Sequence, residues 1–109
     1  MTNPSKNIIS VDDALYDYII NNSVKESSVL QKLREKTDEH ILGGMRITRD
    51  QGQFLAFLVH VIQAEQIMEI GVYTGYSTLW LASALGKKGR ITALETRREF
   101  IEIGKNFWE

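Results

Sequence analysis

Residues 68–77 read MEIGVYTGYS. A short apolar run closes on a carboxylate, Glu69, and a glycine, Gly71, and a second glycine, Gly75, soon follows. The run QIMEI at 66–70 is short and ends in glycine, which predicts a buried β-strand. Residues 75–85 predict a helix with Leu79, Trp80, Leu81 and Leu85 as its apolar surface and Gly86 as its stop. GKKG is a turn, and RITALE at 90–95 predicts a second strand. Strand, helix, strand in this order gives parallel strands joined by a right-handed crossover. The fold class is therefore α/β.

Outward from this unit, Thr96 and Glu99 have capping-box spacing and open a last helix with Phe100, Ile103, Phe107 and Trp108 on one face. Upstream the pattern is helical. Ser10 is placed to cap a first helix, with Asp12 and Asp13 in its first turn, where the helix dipole favours anions. A second helix covers about 27–39, with Leu30, Leu33 and Ile41 facing inward. Its charge run REKTDE, 34–39, reads as a solvated face, with a docking surface as the other reading. A short extended link, 45–47, follows Gly43-Gly44, and Thr48 with Gln51 forms a capping box. That box opens a third helix with Phe54, Leu58, Val61 and Ile62 on one face. His60 has no second histidine a helical turn away, so it reads as packed or half-exposed and not as a metal ligand. Residues 1–9, with the only proline, read as a loose arm.

The chain thus divides into a helical segment, 1–65, and the start of a parallel sheet, 66–109. Two parallel strands need cover on both faces and more neighbours. The last helical pattern also runs to Glu109 without a terminating glycine or proline. The expectation is the first part of a larger α/β domain with an incomplete sheet.

Composition narrows the function. The 109 residues are 43% hydrophobic and 25% charged, ordinary for one globular domain. A net charge of −1 gives no basic stripe for nucleic acid. The absence of cysteine removes disulfides, thiolate chemistry and sulfur-ligated metals, and suits a reducing compartment. MTNPSKNIIS lacks the apolar core of a signal peptide, and FLAFLVHVI at 54–62 is too short to span a bilayer. A cytoplasmic protein without membrane contact is expected.

Ligands of open parallel sheets sit at the carboxyl ends of the strands, where Glu69, Gly71 and Glu95 all fall. Gly71 permits a tight turn and close backbone approach, and the helix start near Thr74 to Ser77 offers free N–H donors. The spacing is G-x-x-x-G, with Tyr73 where a dinucleotide fingerprint has its second glycine. This argues against NAD, NADP and FAD, and no Gly-Lys-Ser/Thr follows to make a P-loop. Glu69 would repel phosphate and suits a cationic ligand. Glu95 follows Gly71 at roughly the 20-residue spacing of the acid that binds a ribose diol. A ribose, a cationic group and no pyrophosphate describe S-adenosylmethionine (SAM). The alternative is a tight βα connection with a solvated acid and no ligand.

From Met45 to Glu95 the sequence strongly resembles the SAM-dependent O-methyltransferases of the caffeoyl-CoA and catechol type, with the likeness running from about Val11 to Glu109. MEIGVYTGYS is similar to that family's first SAM motif, and DQGQFL at 50–55 is a second family mark. The resemblance implies a Rossmann-like, doubly wound sheet with SAM at the strand ends. It implies methyl transfer to one hydroxyl of a catechol-like or caffeoyl-type phenolic acceptor, assisted by a divalent cation (Mg²⁺ or Mn²⁺), usually in a homodimer. Met45 and Ile47 would lie in the link that covers SAM, Ile47 through its backbone only. Glu69, Gly71, Val72 and Ser77 would hold the methionine part, and Glu95 the ribose diol. Tyr73 would either lie against the cofactor or pack beneath the next helix. The family's metal ligands and most of its acceptor pocket fall in a later part with no counterpart here, so no metal site and no catalytic residue are assigned. Two functions follow: the cofactor-binding N-terminal half of an O-methyltransferase, or a non-catalytic SAM-binding or subunit-association fragment.

Overall fold

The computed structural model describes residues 9–109. The expected arm lies, apart from Ile9, outside the described residues. The elements are α1 (Asp13–Ser23), α2 (Ser28–Asp38), α3 (Arg49–Ile62), β1 (Gln66–Ile70), α4 (Tyr76–Ser83), β2 (Arg90–Leu94) and α5 (Arg98–Gly104). Single 3₁₀ turns cover Gly43–Met45 and Lys105–Phe107.

The strands pair in parallel, with Glu69 opposite Ala93 and Ile70 opposite Leu94. The ladder runs one step further, because Gly71 N–H donates to Leu94 C=O at 2.8 Å. This extension brings the residues after β1 level with Glu95. Among the described residues only one sheet face is covered. Ile67 packs on the core formed by Leu30, Leu33, Ala56, Val59, Tyr76, Trp80 and Ala84. On the other face Met68 and Ile70 are 67% and 82% exposed, with Leu94 beside Ile70. The strand expected to be buried is thus only half-buried, and on one side, because the helices among the described residues gather on that side.

Helix starts follow short side chains, with shifts. Asp12, not Ser10, caps α1, accepting Leu15 N–H at 2.8 Å. Ser27 caps α2 through Leu30 N–H. Thr48 holds the extended cap position of α3, but its hydroxyl makes no capping bond. Thr96 does not cap α5, which starts at Arg98; Glu95 takes Arg97 N–H instead, at 3.1 Å. The expected extended link at 45–47 begins in a 3₁₀ turn, and α4 ends at Ser83, short of Leu85.

The apolar face expected on α3 is exposed at Phe54, Leu58, Val61 and Ile62. Its opposite, small-residue face is the buried one: Gly52, Ala56 and Val59. A Cβ on Gly52 would run into the Trp80 ring, so this glycine lets α3 lie directly on the indole. Ile41 is fully outward. His60 is exposed. The REKTDE run is only partly a solvated face. Thr37 is buried, Arg34 pairs inward with Glu26, and Asp38 pairs with Arg46.

Candidate functional site

Past β1 the backbone bends through three left-handed residues, Gly71 (φ +88°), Tyr73 (φ +55°) and Gly75 (φ +89°). The turn closes where Gly75 N–H donates to Val72 C=O at 3.0 Å. At Gly75 a side chain is excluded twice, by the φ angle and by the Trp108 indole, which occupies the space a Cβ would need. Tyr73 takes a conformation that costs a non-glycine residue about 1–2 kcal/mol. Such strain persists only where surrounding contacts hold it. Here the hydroxyl of Tyr73 meets His40 Nδ1 at 2.8 Å, and its ring stands edge-on to Phe100 at 4.8 Å.

Both acids reach this corner. Glu69 is on the inner face of β1, under the first turn of α4. Its carboxylate accepts Ser77 Oγ–H at 2.7 Å and also the Thr78 hydroxyl. Glu95, just past β2, accepts Tyr73 N–H at 2.8 Å and Val72 N–H at 3.1 Å on one oxygen. Its other oxygen takes Arg97 N–H. The Tyr73 amide first, then those of Arg97 and Val72, hold this carboxyl below the ordinary glutamate pKa.

Six of the eight residues singled out from the sequence line one cleft of about 130 Å³: Met45, Ile47, Gly71, Val72, Tyr73 and Ser77. Glu69 joins it through Ser77 and Glu95 through the Val72 and Tyr73 amides. Tyr73 lines the cleft, and its ring packs on Phe100 of α5 and not beneath α4, the next helix.

The donor set fits the sulfonium and ribose ligand. Two carboxylates flank a corner whose glycine, Gly71, has no atom within 4 Å of the point a Cβ would occupy. The cleft volume is below the range of about 300–1,000 Å³ for pockets that enclose a whole drug-sized ligand. A cleft of this size suits only part of a ligand as large as SAM, and Glu95 stands at its rim. Glu95 meanwhile uses its own oxygens on the corner amides, so a ribose diol has to share that carboxylate with them.

Sequence reasoning missed Thr78, the second hydroxyl on Glu69, and Arg46, which lines the cleft; Thr74 and Tyr76, within the helix start read as a donor site, line it too. Thr78 was findable, since a residue next to Ser77 in the first helical turn faces the same strand end. Arg46 was not, because its place depends on Asp38, which takes its guanidinium at 2.6 and 2.9 Å. Among the described residues no three His, Asp or Glu side chains converge as a metal ion requires.

A parallel βαβ unit with a glycine turn at its carboxyl end is the start of a Rossmann-like layer. Comparison with known proteins makes the class specific. The sequence model of the O-methyltransferase family matches residues 20–109, and the chain belongs to that family. It is 47% identical over 94 residues to caffeoyl-CoA O-methyltransferase 2 of Petunia hybrida, an alignment covering 84% of this chain and 39% of the relative. It is 48% identical, with the same coverage, to caffeoyl-CoA O-methyltransferase of Petroselinum crispum. Among solved structures it resembles the O-methyltransferase TomG from Streptomyces achromogenes in complex with SAM (TM-score 0.80, 31% identity, 98% of this chain and 46% of that one). It also resembles an O-methyltransferase from Bacillus cereus in complex with SAH (TM-score 0.79, 31% identity, 86% and 43%). The chain therefore spans about two fifths of the length of the curated relatives it matches.

Proposed function

We propose that this chain supplies the SAM-binding part of an O-methyltransferase that methylates a hydroxyl of a catechol-like or caffeoyl-type acceptor. The observation that carries the reading is the convergence of Glu69, Glu95 and the Gly71–Gly75 turn at one end of the parallel pair. Family membership and the SAM and SAH named with the solved relatives support it.

SAM, when bound, supplies an activated methyl group. The rest is positioning by this chain's residues. Glu95 accepts from the ribose diol, and such bonds to a charged acceptor contribute about 1.5–3 kcal/mol each. Glu69, with two hydroxyls on it, places negative charge beneath the cationic end of the ligand. Met45 and Ile47 cover the cleft and limit water entry. Holding the donor in one pose is itself a large part of rate acceleration for a displacement between two bound partners.

The divalent cation implied by the family resemblance has no ligand set among the described residues, so no step is derived through a metal. The phenolic acceptor, the homodimer and the cytoplasmic setting belong to the same proposal. No helix among the described residues is long and apolar enough to cross a membrane. Nucleic acid is not among the partners proposed.

A second reading has its own observation. The exposed Met68, Ile70 and Leu94 face, with the outward side of α3, suits a fragment whose role is subunit association.

Titration with S-adenosylhomocysteine, followed by the fluorescence of Trp108 on Gly75, tests the cofactor reading. Saturable binding is expected, weakened at least about tenfold in Glu95→Ala, the factor for one lost charge-assisted bond. Equal affinity in that variant refutes the ribose role. Methyl transfer from labelled SAM to caffeoyl-CoA, assayed with and without Mg²⁺ on the product of the whole reading frame, tests the enzyme reading. Binding without turnover favours the second reading.

A further inference from the structure

The two walls of the cleft share one support. The turn at 73–76 reaches α2 and its flanking residues by three side-chain bonds. Tyr76 Oη–H donates to Glu26, just before α2. Thr74 Oγ1 lies 2.7 Å from Thr37 Oγ1, in the last turn of α2. Tyr73 Oη meets His40 Nδ1, just beyond it. The opposite wall, the 45–47 link, is moored to the same helix, because Arg46 pairs through two nitrogens with Asp38.

Bond directions follow from the partners. Thr37 spends its single proton on Leu33 C=O at 2.7 Å, so Thr74 is the donor to Thr37. His40 Nδ1 also receives Leu42 N–H at 3.3 Å, which makes it an acceptor and Tyr73 the donor. Burial, then the bond to Glu26, raises the Tyr76 pKa, so its hydroxyl stays protonated and donates. Glu26 is fixed in turn by both Arg34 nitrogens that face it, at 2.9–3.2 Å. The threonine pair is 0% and 1% exposed, so no water can replace a lost partner. None of Glu26, Thr37, Asp38 and His40 lines the cleft itself.

We propose that α2 is a common mooring that sets the shape and width of the cofactor cleft, with Glu26, Thr37 and His40 as positioning residues for the glycine turn and Asp38 for the covering link. The strained Tyr73 backbone is what needs the mooring: it sits in the turn whose Val72 and Tyr73 amides donate to Glu95. As a statement about ligand affinity, the proposal rests on the SAM reading above. As a statement about the turn, it stands without it.

The test compares the parent chain with Thr37→Val, Thr37→Ser and His40→Ala. Amide hydrogen exchange is followed at 72–77 and in β1 and β2, and S-adenosylhomocysteine affinity is titrated under conditions where every variant is folded. Exchange at 72–77 is expected to speed in Thr37→Val and His40→Ala while the strands keep their protection. Affinity is expected to fall about fivefold or more, the factor for one net hydrogen bond. Thr37→Ser restores both. If Thr37→Val does not fold, His40→Ala, at a half-buried site, carries the test. Exchange and affinity equal to the parent overturn the mooring, as does a lowered thermal stability with unchanged affinity. If the parent itself takes no S-adenosylhomocysteine, the SAM reading fails, and the exchange measurement alone still decides the mooring.

Discussion

Glu95 carries most of the site's logic at the residue scale. Its carboxylate touches both the corner amides and the backbone leading into α5. Because its folded pKa is depressed, its stabilising contribution is present above the ordinary glutamate pKa. It is lost as pH falls through the depressed value. Acid titration of the parent should therefore loosen the 72–73 corner before the strands unfold, seen as faster exchange at Val72 and Tyr73. Glu95→Gln should lack that low-pH transition. Gly75 makes a second residue-scale prediction. Gly75→Ala adds a methyl at φ +89° against the Trp108 ring, and urea denaturation should register a loss of about 1–3 kcal/mol. Gly86→Ala, with nothing within 4 Å and no left-handed φ, is the control and should cost far less.

Among the elements, α3 and α4 show why apolar pattern alone misleads. The large residues of α3 form the stronger periodic stripe, yet the helix turns its small face inward, because a glycine and an alanine let it settle on Trp80. Gly52→Ala should separate the helices, with a thermal midpoint several degrees lower, whereas Phe54→Ala on the outward face should change stability little. The α2 charge run was only half legible for a related reason. Arg34, Thr37 and Asp38 take partners on the loop before α2, on the glycine turn and on the 45–47 link. No helical periodicity encodes such partners. Helix starts were legible to within a residue or two, as for α2 and α3, although the capping box read at Thr48 makes no capping bond. Capping signals failed where a competing acceptor was nearer, as at Asp12 and Glu95.

For the whole molecule, the uncovered sheet face is the dominant feature. Met68, Ile70 and Leu94 lie side by side, and apolar strands with free edges template association. Met68→Thr with Ile70→Thr should reduce self-association in sedimentation velocity and leave S-adenosylhomocysteine binding intact, since neither side chain lines the cleft. Unchanged association would direct attention to the Phe54 and Phe57 side of α3, where the two rings stack at 6.1 Å.

The sequence by itself determined the strand–helix–strand order, the parallel pairing and the placing of Glu69, Gly71 and Glu95 at the carboxyl end of the strands. Those depend on local period, on left-handed backbone positions and on spacing along one chain. Only the tertiary structure decided which face of α3 is buried, that Glu95 bonds the turn's own amides, and that α2 holds both walls of the cleft. Each of these is a contact between side chains or backbone groups brought together by packing, and close packing selects partners by shape and hydrogen-bond direction, which a linear pattern does not record.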